Sequence, residues 1–220
     1  MASATDSRVG GAVNSQQIER AVQEAGFGKL GPEAAAQFET YLALLLKWNA
    51  KLNLTAIREP QMIVKRHFIE CIQCAQAIPA ISEPRTLLDF GSGAGLPGIP
   101  IAILRQEILV TLAESQGKKA AFLQEAVRAL ALDVEVFQGR VEKMPPERQF
   151  SVITLRAVDK MPDAIRVAID RSVLDGWVVL FTTSRAEPTL KSQLPEIEWR
   201  KELPISGLDE GRILLGQRGP

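Results

Sequence analysis

The sequence predicts an α/β fold: a mostly parallel sheet with helices around it, finished by a C-terminal antiparallel hairpin and preceded by an all-helical extension. Three observations carry this reading. Up to about Ile78 the apolar residues recur at helical spacing, whereas beyond Pro84 short β-branched and leucine-rich runs alternate with helix-length amphipathic stretches. Strands alternating with helices specify parallel pairing through right-handed crossovers. The first of these runs leads into a glycine-rich string, Gly91-Ser92-Gly93-Ala94-Gly95, which joins it to the next helix.

The elements come in order along the chain. Residues 1–14 are small and polar, with a Gly10-Gly11 pair, and are expected to form a flexible tail. Ser15 is a candidate cap for a helix running to Gly26, with Ile18, Ala21, Val22 and Ala25 on one face. Pro32 opens a longer helix carrying Phe38, Tyr41, Leu42, Leu45 and Leu46, and Asn53-Leu54-Thr55 breaks it. Pro60 starts a third helix, through His67 to about Ile78, and Pro79 ends it. Residues 15–83 therefore read as a helical N-terminal extension, and 84–220 as the α/β domain. There the expected strands are Thr86–Phe90, Ile108–Ala113, Val134–Phe137, Ser151–Leu155 and Trp177–Phe181. The expected helices are Gly98–Arg105, Lys118–Leu132 and Met161–Ser172. Glu198–Leu203 and Ile213–Gln217 come last, without a convincing helix between them, which suits a hairpin.

Composition narrows the function classes. The hydrophobic share of 46% is that of an ordinary globular chain. No apolar run approaches the roughly 20 residues of a membrane span, and Met1–Ser15 lacks the basic start and apolar stretch of a signal peptide. A cytoplasmic location, no membrane partner and a monomer are expected. Twenty-six basic residues balance 26 acidic ones, which is unlike the basic excess of a free-standing nucleic-acid binder. Local basic clusters must carry any RNA contact. Cys71 and Cys74 can be parsed as C-x-x-C, yet helical spacing sets Cys71 in a stripe with Phe68, Ile72 and Ala75. His67 is the only histidine, so the reading is buried structural thiols and no metal site.

The glycine loop is the main chemical signal. Its glycines let backbone approach a ligand and allow positive φ, and ligands of such sheets bind at the carboxyl ends of the strands. Gly93-Ala94-Gly95-Leu96-Pro97-Gly98 also fits the dinucleotide pattern G-x-G-x-x-G. Three details favour S-adenosylmethionine instead. Asp89 just ahead of the loop suits a cationic methionine ammonium and would repel a pyrophosphate. Leu96-Pro97 begins an apolar turn that suits a thioether and adenine. The strand abuts Gly91, which places the phosphate fingerprint two residues late. Glu114, immediately after the second strand, is placed to accept both hydroxyls of an adenosine ribose; the plainer reading is a solvated acid at a helix start.

With their flanks, these residues resemble the bacterial ribosomal RNA small-subunit methyltransferase G family, also called glucose-inhibited division protein B. The resemblance runs from Leu45 to Val158. It includes Trp48-Asn49, Asn53-Leu54-Thr55-Ala56-Ile57, Arg66-His67, Leu88 through Pro100, Gly117-Lys118-Lys119, Phe122-Leu123, Arg140-Val141-Glu142 and Arg156-Ala157. It implies a Rossmann-like class I methyltransferase fold behind a helical extension. The implied activity is methylation of N7 of a guanosine in 16S ribosomal RNA with S-adenosylmethionine, on RNA within a ribosomal particle. By matching motifs, Gly91 and Leu96 line the methionine and sulfonium end, with Gly93 and Gly95 completing the loop. Val141 and Glu142 border the adenine, and Arg156 sits at the mouth shared by cofactor and target base. The chain departs from the family at Glu70-Cys71, where Asp-Ser is frequent, at Glu114 for Asp, and at Gly211-Arg212 for Arg-His.

The chemistry is consistent. Thr154-Leu155-Arg156-Ala157-Val158 stands where adenine amine methylation uses an Asn/Asp-Pro-Pro-aromatic motif, and neither cysteine lies near the sheet's active edge for pyrimidine C5 attack. Guanine N7 offers its lone pair outward and sheds no proton, so alignment replaces acid–base catalysis and no catalytic residue is named. Lys118, Arg156 and His67 are candidate RNA contacts, with completion of the cofactor pocket the preferred role of Arg156, and solvated lysines and a helix-packing histidine the plainer readings of the others. Two other classes stand beside this one: an NAD-dependent oxidoreductase, and a non-catalytic RNA-binding module with a vestigial pocket.

Overall fold

A computed structural model describes residues 13–219, apart from 82, 84, 159 and 160. The tail expected over 1–14 lies outside the described residues, save Val13 and Asn14. Helix α1 (Ser15–Glu24) is capped by Asn14 rather than Ser15. The Asn14 carboxamide oxygen accepts the Gln17 N–H at 3.0 Å, and the Gln17 side chain accepts the Asn14 N–H at 3.0 Å. The reason is the reciprocal box, which needs Gln or Glu three residues after the cap; Gln17 satisfies that for Asn14. The Ser15 N–H instead reaches Glu39 Oε2 at 2.8 Å and ties α1 to α2 (Pro32–Leu52).

Helix α2 stops at Asn53, whose φ of +49° is tolerated by its short polar side chain. The third expected helix is a continuous rod in three parts: α3 (Pro60–Ile63), a π-helical turn (Val64–Phe68) and α4 (Ile69–Ala77). The wide turn holds an extra residue and rotates α4 relative to α3, a device common at functional sites. It contains His67.

The sheet has seven strands: β1 (Thr86–Phe90), β2 (Leu109–Glu114), β3 (Val134–Gln138), β4 (Phe150–Leu155), β5 (Ser172–Thr183), β6 (Ile197–Pro204) and β7 (Gly211–Arg218). Their order is β3-β2-β1-β4-β5-β7-β6. The first five pair in parallel, and β7 runs antiparallel to both β5 and β6, so the expected terminal hairpin is present. Helices α5 (Gly98–Leu104), α6 (Gly117–Ala129) and α7 (Met161–Asp170) make the crossovers.

One expectation needs correction, and one element was not foreseen. Ser172 belongs to β5, not to the preceding helix, because Arg171 ends that helix by sending its guanidinium to the carbonyls of Met144 and Pro145 at 2.7 and 2.6 Å. The Arg171 carbonyl then accepts the Phe150 N–H at 2.8 Å and starts the pairing. A short helix, α8 (Glu187–Gln193), also precedes the hairpin. Its seven residues bury only Leu190, too little for a periodic signal.

Alternate strand residues feed two cores. Leu88, Phe90, Ile153, Leu155, Val178 and Leu180 face α7 and α8. Leu87, Val110, Leu112, Val152 and Val179 face α5, α6 and the N-terminal helices, which share that core continuously. Cys71 and Cys74 are fully buried in it as free thiols. No helix among the described residues is long and apolar enough to cross a membrane. Arg105, after α5, donates to the Ala75 and Ile78 carbonyls at 2.9 and 3.0 Å and so holds the end of α4. Arg105→Met is expected to lower unfolding stability by about 1–3 kcal/mol, read by urea denaturation, since buried carbonyls lose charged donors.

Candidate active site

A cavity of about 720 Å³ opens at the carboxyl ends of β1, β2, β3 and β4, the place where open parallel sheets hold ligands. Its floor is the glycine loop, with Gly91, Ser92, Gly93, Ala94 and Leu96 on the wall. The loop turns on positive φ at Gly91, Gly93 and Gly95, of +71°, +56° and +82°. It is pinned at both ends. The Ser92 N–H donates to Ala113 at the end of β2 at 2.9 Å, and the Gly95 N–H donates back to the Ser92 carbonyl at 2.7 Å.

The glycines divide by duty. A Cβ on Gly93 would project into space, its nearest neighbour the Gly91 carbonyl at 3.8 Å. A Cβ on Gly95 would strike Ile99 Cδ1 at 2.5 Å, and one on Gly98 would collide with Leu112 Cδ2. Gly93 therefore leaves room for a ligand, whereas Gly95 and Gly98 leave room for the helix behind the loop. Gly95, expected at the cofactor, is absent from the cavity wall, and the space beside it is filled by Ile99 of α5 and Leu123 of α6.

Asp89 also has a different place from the one its position suggested. It is 1% exposed and absent from the cavity wall. Its carboxylate accepts the Thr154 hydroxyl at 2.8 Å and the Gly98 N–H at 3.2 Å. It fastens β4 and the start of α5 to β1. Burial, against the pull of the Thr154, Ser92 and Gly98 donors, raises its pKa to about 6. This carboxylate occupies the helix start, where a dinucleotide's pyrophosphate would bind, so the geometry speaks against the NAD reading.

Glu114, the last residue of β2, is 5% exposed and lines the cavity. Its Oε2 accepts the Gly93 N–H at 2.9 Å and its Oε1 the Gln116 N–H at 2.7 Å. It is a buried organiser of the loop as well as a wall group, and the solvated-acid reading is excluded. Beyond β3, Arg140, Val141 and Glu142 line the wall on a 3₁₀ turn (Val141–Lys143). Lys119 lines it from α6, while Lys118 points to solvent. Of that pair the structure selects the neighbour of the residue singled out by sequence. One helical residue is a rotation of about 100°, given 3.6 residues per turn.

The opposite wall is a chain of polar contacts between the two halves of the molecule. Arg156, just after β4, donates through Nη2 to Glu70 Oε2 at 2.5 Å and to His67 Nδ1 at 2.9 Å, and its guanidinium lies 5.7 Å from the Phe181 ring centre. With His67 Nδ1 accepting, its Nε2–H donates to Thr55 Oγ1 at 2.7 Å. Burial and the Arg156 cation lower the His67 pKa to about 4, so the ring is neutral at pH 7. Burial raises Glu70, and Arg156 draws it partly back. Asn49 shapes the corner by accepting the Thr55 N–H at 2.9 Å and donating to the Ile57 carbonyl at 3.2 Å.

Gly91, Gly93, Leu96, Glu114, Val141, Glu142, Arg156 and His67 thus converge on one cavity. The family model for rRNA small subunit methyltransferase G matches residues 34–202 of this sequence. The chain belongs to that family. The methyltransferase G protein of Stenotrophomonas maltophilia (strain K279a) is 41% identical over 206 residues, covering 91% of this chain and 95% of the relative. That of Methylobacillus flagellatus is 35% identical over 211 residues, covering 91% and 96%. Among solved structures, P. horikoshii TYW2 in complex with MeSAdo superposes with a TM-score of 0.58 at 17% identity over 70% of this chain and 63% of its own. A Methanococcus jannaschii fibrillarin pre-rRNA processing protein gives 0.54 at 16% identity over 65% and 70%. At these identities the likeness establishes the fold, a Rossmann-like methyltransferase architecture.

Three wall residues of this methyltransferase G member, Asp163, Ala164 and Val167 of α7, were not singled out in the sequence, and Leu54 and Thr55 of the corner were read there only as a helix break and a family block. The first three belong to an amphipathic helix, and Ala164 and Val167 read from its period as core positions, which does not show that the helix also borders the cavity. Asp89 and His67 impose opposite pH slopes on stability. Asp89, raised to about 6 from 3.8, makes the native state bind more protons than the unfolded chain and lowers stability as pH rises through that window. His67, lowered to about 4 from 6.5, makes the unfolded chain bind more and lowers stability as pH falls through its window. Relative to His67→Gln, the native chain should lose stability on going from pH 6.5 to pH 4, measured by urea denaturation at each pH. A stability difference that does not change with pH would return His67 to an ordinary imidazole.

Proposed function

We propose that this chain transfers a methyl group from S-adenosylmethionine to N7 of a guanosine in small-subunit (16S) ribosomal RNA. It does so as a cytoplasmic monomer acting on RNA within a ribosomal particle. The observation that carries the reading is the junction of a loop open at Gly93 with the buried Glu114 carboxylate, in a cavity whose far wall presents Arg156. Residues 84–220 form the transfer domain, and 15–83 supply the rest of the wall.

The residues fit the cofactor. Gly93 leaves its backbone bare, Glu114 keeps lone pairs beyond those given to Gly93 and Gln116 for ribose hydroxyls, and the cavity of about 720 Å³ is large enough for a nucleoside and a target base. Gly91, Gly93 and Leu96 flank the methionine end, and Val141 and Glu142 border the adenine. When bound, S-adenosylmethionine supplies an electrophilic methyl carbon. The chain's own contribution is alignment and exclusion of water. The cysteines lie away from the wall and His67 is neutral, yet guanine N7 needs neither a nucleophile nor a base. Arg156, immobilised by Glu70 and His67, faces the base end of the cavity. Lys119 and Arg140 at its rim, with Lys118 farther out, are the cations available to RNA phosphates. A chain with no net charge suits recognition of a structured particle more than tight binding to arbitrary RNA.

Labelled methyl from S-adenosylmethionine is expected on 30S particles, at a guanosine located by N7-specific strand cleavage and primer extension. Label confined to protein or to a small metabolite would overturn the substrate. Glu114→Ala should weaken S-adenosylmethionine binding in calorimetry by about 1–3 kcal/mol, because ribose acceptors are lost and the Gly93 N–H is released. Unchanged affinity would remove Glu114 from the cofactor site.

A further inference from the structure

Helix α2 sends one polar group into the loop. Tyr41 is fully buried, and its hydroxyl donates to the Ala94 carbonyl at 2.6 Å. Ala94 sits between Gly93 and Gly95, both at positive φ, so its carbonyl turns away from the path of a regular helix or strand. No backbone N–H among the described residues reaches that carbonyl, whereas the neighbouring Ser92 carbonyl takes the Gly95 and Leu96 amides at 2.7 and 3.3 Å. The phenol ring is itself packed on all sides. It stacks on Phe68 at 5.3 Å and 11°, and Phe68 in turn meets Phe38 at 5.1 Å. Phe68 closes the π-helical turn that also holds His67. Ala94 is 6% exposed and its other side lines the cavity.

We propose that Tyr41 is a positioning residue of the site: its hydroxyl holds the glycine loop in the shape that receives S-adenosylmethionine. This rests on the cofactor reading given above. Among the described residues the loop is otherwise fastened from the sheet, through Asp89, Ala113 and Glu114. Tyr41 is the tie from the helical side, and it acts on the residue between the two glycines whose φ values shape the turn. A buried carbonyl that loses its donor seeks another, and in a three-glycine loop the backbone can rotate to find one.

Tyr41→Phe keeps the ring and the Phe68 stack. In the free protein, amide hydrogen exchange at Gly95 and Leu96 should accelerate roughly tenfold, as local opening becomes easier. In calorimetry the S-adenosylmethionine Kd should rise roughly fivefold or more, while kcat at saturating cofactor stays within a factor of about two, since the loop then closes around its ligand. Val22→Ala, which trims the same core where α1 meets α2 without touching the loop, is the comparison. It should lower the melting temperature and leave both exchange and Kd unchanged. Equal behaviour of the two variants, or unaltered Gly95 and Leu96 exchange in Tyr41→Phe, overturns the proposal. Failure of the native chain to take up S-adenosylmethionine overturns the cofactor reading and the positioning claim with it. The exchange rates, read without cofactor, distinguish that result from failure of the Tyr41 tie alone.

Discussion

One buried carboxylate organises the catalytic end of the sheet. Asp89, on β1, the middle of the five parallel strands, gathers the Thr154 hydroxyl of the next strand and the first amide of α5. An ionised group without water is costly unless hydrogen-bonded, so these donors are obligatory partners, and their positions are fixed by its need. The loop between β1 and α5 is a strap whose two ends this residue holds. Everything the loop presents to the cavity inherits that geometry.

Glu114 repeats the device one strand away. By accepting the Gly93 and Gln116 amides it holds the loop to the end of β2. Neither acid stands free in solvent, although both lie at the carboxyl ends of strands, beside turns where free acids are common. Their shared logic is geometric: one group shapes the backbone of the loop from behind, and the other shapes it from beside while still facing the ligand space. Chemistry that needs alignment rather than proton transfer is well served by that rigidity.

The helical extension completes the site. Its corner at Asn49–Thr55 and its π-helical turn bring Thr55, His67 and Glu70 against Arg156, and all but Glu70 line the cavity. The neutral imidazole is a consequence first of burial and then of that neighbour, because a second cation beside Arg156 is disfavoured. Helices α1–α4 and the sheet share one continuous core behind this wall.

The sequence by itself determined the elements of longest period and strongest punctuation. Pro32, Pro60 and Pro79 marked the helices, the alternation after Pro84 marked the parallel sheet, and Gly91–Gly95 marked the ligand end. These are local signals, set by backbone sterics and by which face of an element must be apolar. It also identified the family through an ordered set of short blocks. What it left to the tertiary structure were directions. That Gly93 faces space while Gly95 faces Ile99, that Lys119 rather than Lys118 reaches the cavity, and that Asp89 lies behind the loop instead of in front of it depend on how α5 and α6 pack. The short helix α8 and the early start of β5 were decided by single contacts of Leu190 and Arg171. A residue's type is written in the chain, but the side from which it meets a ligand is fixed only when distant elements close around it.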